Sequence, residues 1–295
     1  MGRKNLLDKS FNQIESFFDN YPVHSFNFYK IKETINEHRD DWEIPTNRST
    51  KKILSYLIKK KVLFSNSVLN PSNEAHQIYT WKSKDDYTVI SGIKTNSYFS
   101  YYSALFLHGL TLQIPKTFYL NDERSDSPIT ISNPVISQEA IDKAFSKPQR
   151  KSNHIYRFYD KKIVVTNGKF TDRLGVQLIQ ILHKENKKCY CTDLERTLID
   201  ISVRPVYSGG VFEVLEAYRQ AKGKVDVLRI KKYLNTLNYI YPYEQIIGFY
   251  LEKAQYEKDD VEIFNTEKSF DFYLTYEMRN KVYSEKWKLY YPNGM

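Results

Sequence analysis

Six side chains around residue 50 offer the chemistry of phosphate and base contact: Asn47, Arg48, Lys51, Lys52, Ser55 and Lys59. On a helix over 49–60, Arg48, Lys52, Ser55 and Lys59 fall on one side with Lys51 beside them, while Ile53, Leu54 and Leu57 point the other way. No acidic residue interrupts 48–61. A helix divided like this can dock its apolar face on neighbouring helices and turn its basic face to the phosphates and base edges of duplex DNA. The competing reading is a merely solvated basic face, and the elements around the helix must decide between the two.

A second arrangement would do metal-assisted hydrolysis. Asp172, followed beyond an apolar segment by Glu185 and Lys187, matches the Asp…Glu-x-Lys pattern of restriction-type nucleases. There the carboxylates hold Mg²⁺ and the lysine assists the attacking water. Glu185, however, falls in the polar run HKENKK over 183–188, which reads as a turn, and short patterns recur by chance. The nuclease is kept as an alternative to a non-catalytic function.

Other chemistry finds less footing. The histidines (His24, His38, His76, His108, His154, His183) are scattered, with no HExxH pattern and no Cys–His cluster. His108 follows a packed helix and reads as a capping or hydrogen-bonding residue. Cys189 and Cys191 stand too close for an ordinary disulfide staple and are too few for a structural zinc site. Neither GxSxG nor a phosphate-cradling glycine loop occurs. No catalytic residue, metal or cofactor is expected.

The elements that must position the basic face follow from periodicity. Apolar spacing predicts helices over 10–19, 28–38 and 49–60, the last with Thr46 or Ser49 as its N-cap. Strands are predicted over 61–64 and 77–81, joined by a polar loop over 66–75. Three helices followed by a hairpin is the winged form of helix-turn-helix. The expected fold class is mixed α/β (α+β): a winged helix-turn-helix DNA-binding domain over 1–92, then a larger mixed α/β domain over 93–295. In the larger domain, helices are predicted over 97–107, 138–145, 193–203, 211–221, 227–237 and 243–256. Strands are predicted over 117–120, 129–131, 153–159, 162–166, 176–182, 269–275 and 287–291.

Two stretches carry a resemblance: YFSYYSALFLHGLTLQIP over 98–115 and TDLERTLIDISVRPVYSGGVFEVLEAY over 192–218. Both resemble the C-terminal domain of AbiEi-family antitoxins from bacterial phage-defence operons, in the same order and at similar separation. The closing FDFYLTYEMRNKVYSEKWKLYYP over 270–292 is similar to the end of that domain. The resemblance implies an antitoxin that represses its own operon by binding operator DNA and counters a nucleotidyltransferase-like toxin. It implies a winged helix in front, with a short glycine-containing wing that this chain lacks. Read as residues, Thr192 to Glu195 form a capping box, and the carboxylates Asp193 and Glu195 are structural rather than catalytic. A protein-interaction module with a degenerate winged helix remains a further alternative.

Composition agrees with a cytoplasmic regulator. Lys and Arg number 44 against 35 Asp and Glu, a net charge of +9 that favours a polyanionic partner. No run of about 18 apolar residues suggests a membrane span. The cysteine usage suits a reducing compartment.

Overall fold

The computed structural model describes residues 6–125, 136–182, 184 and 186–295, so the expected strand over 129–131 lies outside the described residues. The chain opens with α1 (Leu6–Asp19), β1 (Ser25–Asn27), α2 (Phe28–Glu37), α3 (Thr50–Lys59), β2 (Leu63–Leu69), β3 (Ala75–Trp81) and α4 (Asp86–Ser91). Next come β4 (Tyr98–Phe99), α5 (Tyr101–Leu107), β5 (Thr117–Asn121), α6 (Gln138–Phe145), β6 (Ile155–Phe158), β7 (Lys161–Thr166), β8 (Val176–Gln180) and β9 (Lys188–Thr192). The rest is α7 (Leu194–Val203), α8 (Val211–Ala221), α9 (Val227–Leu237), α10 (Tyr243–Lys253), α11 (Lys258–Glu262), β10 (Phe272–Tyr273), β11 (Lys281–Ser284) and β12 (Leu289–Pro292). The fold is mixed α+β, as the sequence predicts.

Two compact units emerge. The first takes the described residues of 1–98, 153–165 and 178–190. The second takes the described residues of 99–152, 166–177 and 191–295.

In the first unit the apolar stripes of three helices meet one core: Ile14 and Phe18 from α1, Ile31 and Ile35 from α2, and Ile53, Leu54 and Leu57 from α3. Trp81 closes it, stacked on Phe18 at 4.9 Å between ring centroids, with its indole N–H donating to Asp19 Oδ1 at 2.7 Å. β1 pairs antiparallel with β3, Ser25 opposite Thr80. Within this unit the strands run in the order β1-β3-β2-β6-β7.

The polar loop expected over 66–75 is corrected. β2 and β3 pair from Leu63 opposite Trp81 as far as Leu69 opposite Ala75, leaving residues 70–74 to turn. Polar strand residues are satisfied across the ladder: Ser65 Oγ donates to Gln77 Oε1 at 2.8 Å, and Asn66 Nδ2 donates to Thr80 Oγ1 at 3.1 Å. The turn needs no glycine. Asn70 Oδ1 accepts from the backbone N–H groups of Ser72 and Glu74, and Asn73 takes the left-handed position at φ 62°.

The second unit is built on α7, which packs against α8 and α9. Its core includes Leu198, Ile201, Val214, Tyr218, Ile230, Ile247 and Trp287. Gly248, within α10, is required by packing: a Cβ there would come within 2.3 Å of the Trp287 ring. β12 holds a small sheet together, parallel to β10 and antiparallel to β11. Two expectations for this unit are corrected. The helix predicted over 97–107 begins only at Tyr101, because Tyr98 and Phe99 form β4, with Phe99 opposite Cys191 of β9. The capping box at Thr192 is displaced by one residue: Asp193 is the N-cap, its Oδ1 accepting from Arg196 N–H at 2.8 Å. Glu195 serves another helix, accepting from the backbone N–H of Asp226, the N-cap of α9.

Candidate nucleic-acid interface

The basic face is set by how α3 begins. The chain leaves α2, buries Trp42 and Ile44, and turns at Pro45. Arg39 Nη1 donates to the carbonyl oxygens of Pro45 and Arg48, both at 2.9 Å. Ser49 holds the N-cap position in an extended conformation without a side-chain cap bond. Thr50, Ile53, Leu54 and Leu57 are then buried, which turns the remaining positions outward.

All six predicted contact residues lie on this segment. Asn47, Lys51, Lys52, Ser55 and Lys59 are exposed and Arg48 is half-buried. Among the described residues, no carboxylate lies within 4.0 Å of the charged groups of Arg48, Lys51, Lys52 or Lys59. Lys60 differs, because it pairs with Asp8 at 3.1 Å while Tyr56 donates to the same carboxylate at 2.7 Å. That tie fastens α3 to α1 and takes Lys60 out of the free basic set. Sequence reasoning stopped short of this distinction because Asp8 and Lys60 are 52 positions apart.

After α3, the β2–β3 hairpin turns over 70–74, flanked in its sheet by β1 and β6. Arg157 Nη1 donates to Asn73 Oδ1 at 3.0 Å, and Leu69 is paired with Arg157 across β2 and β6. Sequence reading assigned Arg157 to the other domain. Nothing local marks it as a support for this turn.

The residues of the nuclease pattern are placed as follows. Asp172 is exposed in a turn at φ 50°. Glu185 lies outside the described residues. Lys187 donates to His24 Nδ1 at 2.9 Å and to the Trp81 carbonyl at 3.1 Å. Burial, above all, holds the Lys187 ammonium below its usual range, opposed by Asp85 and Asp19. His24 is likewise depressed, first by burial and then by the Lys187 charge, so a neutral imidazole accepts from an ammonium.

In the second unit, His108 Nε2 meets the Thr192 carbonyl at 2.6 Å, and burial keeps the ring neutral. Cys189, in the first unit, and Cys191, in the second, are buried free thiols. Arg196 donates to Asp200 at 2.8 Å, with the two residues only 4% and 7% exposed. Among the described residues, no helix is long and apolar enough to cross a membrane.

The fold is similar to that of the RV2827C protein from Mycobacterium tuberculosis, known from its crystal structure. The TM-score is 0.51 at 11% identity, covering 95% of this chain and 90% of that one. At that identity the likeness speaks of fold alone. No protein-family model matches the chain, and no curated protein does.

Proposed function

We propose that this chain is a transcriptional autorepressor and antitoxin of the AbiEi kind. In this reading a winged helix-turn-helix in the first unit binds operator DNA, and the second unit counters a nucleotidyltransferase-like toxin. The observation that carries the DNA half is the exposed, acid-free face of α3, with Lys51, Lys52 and Lys59 unpaired among the described residues. The element order helix, strand, helix, helix, hairpin supports it, because it puts an exposed α3 face directly before a hairpin in the chain.

The antitoxin half is supported by the resemblance, whose quoted stretches form α5, α7 and α8 of the second unit. A surface suited to a protein partner lies on the same stretches. Leu112 and Ile114 are 98% and 81% exposed, and Phe212 is exposed on α8, whose next residue Glu213 accepts at Oε1 from Thr111 Oγ1 at 3.1 Å.

The test is fluorescence anisotropy with duplexes from the chain's own promoter and a scrambled control. With about five phosphates neutralised, log K should fall against log salt with slope near −4.5. Lys52→Ala with Lys59→Ala should weaken binding and flatten the slope by about 1.8. Unchanged affinity in the folded double variant removes α3 as the reading helix.

A further inference from the structure

The second unit contains a cavity of about 500 Å³ walled by the C-terminal ends of α6 and α7 and by Tyr241, Tyr243 and Tyr276. Four cations line it: Lys143, Lys147, Arg150 and Arg204. Among the described residues, no carboxylate does. Among the described residues none of the four has an ion-pair partner.

Helix dipoles account for only part of this charge. A helix C-terminus carries roughly half a negative charge, so α6 and α7 together call for about one compensating cation. Arg204 also acts on the Asp200 carboxylate, so about two positive charges remain beyond what the helix ends and that carboxylate offset. Arg204 is half-buried and directed by the chain: its Nη1 donates to the Arg150 carbonyl at 3.2 Å, and its guanidinium lies 5.9 Å from the Tyr207 ring centroid.

The neutral part of the wall also has unused capacity. Among the described residues, the hydroxyls of Tyr241, Tyr243 and Tyr276 make no hydrogen bond. Gln149 donates through Nε2 to the Val203 carbonyl at 3.2 Å, which leaves its buried Oε1 without a partner. Tyrosine rings with free hydroxyl donors suit a flat ring bearing polar groups, and a bare anion would use none of the ring faces.

The geometry points to this cavity as a nucleotide-binding site, with Lys143, Lys147, Arg150 and Arg204 on the di- or triphosphate and the tyrosine wall on the nucleoside. The size matches: ligand cavities commonly run from about 300 to 1,000 Å³. This site is separate from α3 and does not depend on the DNA-binding proposal.

Calorimetric titration of the full chain with ATP, tripolyphosphate and adenosine tests it. ATP should bind tightest, tripolyphosphate more weakly, and adenosine weakest. Arg204→Gln should weaken ATP about tenfold or more, and Lys147→Gln, at an exposed position that leaves the fold alone, should weaken it severalfold. The Lys52→Ala, Lys59→Ala protein should retain full ATP affinity. Three results would overturn the assignment: no heat with millimolar ATP, equal affinity for tripolyphosphate and ATP, or ATP affinity unchanged in folded Lys147→Gln and Arg204→Gln proteins. A loss of duplex DNA affinity in Lys147→Gln, with ATP silent, would give the cavity to DNA instead.

Discussion

Arg39 Nη1 lies 2.9 Å from the carbonyl oxygen of Arg48 and the same distance from that of Pro45, so one guanidinium closes the turn that launches α3. Its role is to position the basic face. Arg39→Gln should therefore destabilise the protein by about 1–2 kcal/mol in urea unfolding, the net worth of one or two such hydrogen bonds. It should also weaken DNA binding with the salt slope unchanged, because no phosphate contact is removed. A slope flattened by about one would instead make Arg39 a phosphate contact.

The displaced cap gives a second test. Asp193 accepts from Arg196 N–H and also from the Tyr233 hydroxyl at 2.9 Å, whereas among the described residues Thr192 Oγ1 meets only the Thr197 hydroxyl, at 2.7 Å. Asp193→Ala should cost about 1–2 kcal/mol and Thr192→Ala less. Urea midpoints at constant m-value rank the two, and the reverse order would restore Thr192 as the cap.

These cases show what was legible in the sequence. The helices over 138–145, 211–221 and 227–237 end where periodicity put them, because each has a single buried stripe and a polar or glycine-bearing boundary. Residues 98–99 misled because Tyr, Phe and Ser run on into the apolar residues of α5. The break is a backbone event, with Tyr101 at φ 51°, that no side chain announces. β9 went unread although Cys189 and Cys191 alternate as buried residues around the exposed Tyr190, since a lysine-rich run precedes it. β2 was cut short because Ser65, Asn66 and Ser67 look like loop, and only the opposite strand supplies their partners. The exposure of Lys51, Lys52, Ser55 and Lys59 on α3 follows from local spacing, because it needs no distant partner. Asp8, Arg157 and Lys187 bond across the fold to their partners, and spacing carries no trace of that.

The Arg196–Asp200 pair predicts an asymmetry. Burial raises the Asp200 carboxyl above its usual range, opposed by Arg196, whose Nη1 also donates to the Leu174 carbonyl at 2.8 Å. Removing one partner strands a buried charge, so Asp200→Ala should cost about 3–5 kcal/mol. Arg196→Met with Asp200→Leu should cost clearly less than the two single changes summed. Additive losses by chemical denaturation would show that the two groups act independently.

His24 predicts a pH dependence. Its folded pKa lies below the ordinary 6.5, chiefly through burial, so the unfolded chain takes up the proton first as the pH falls. Its contribution is complete above about pH 6.5 and is lost as the pH drops through the depressed folded value. His24→Asn keeps an acceptor for Lys187 and does not titrate, so stability should decline less between pH 6.5 and 5. His108, depressed in the same direction by burial, supplies part of the slope that remains. An unchanged pH profile in His24→Asn would place the acid sensitivity elsewhere.

Leu112 is 98% and Ile114 81% exposed, so neither contributes to the core, and charged replacements there should change stability by less than about 0.5 kcal/mol. A surface pair of this kind loses nothing on folding and gains only when a partner covers it. If the toxin is countered by contact here, Leu112→Asp with Ile114→Asp should abolish growth rescue upon toxin co-expression. Promoter binding and the melting temperature should stay unchanged. Lys52→Ala with Lys59→Ala should do the opposite, relieving repression while rescue persists. The measurement is colony survival at matched antitoxin levels, read beside a promoter–reporter signal. Full rescue by the doubly charged Leu112 and Ile114 protein would show that the toxin is countered without this contact.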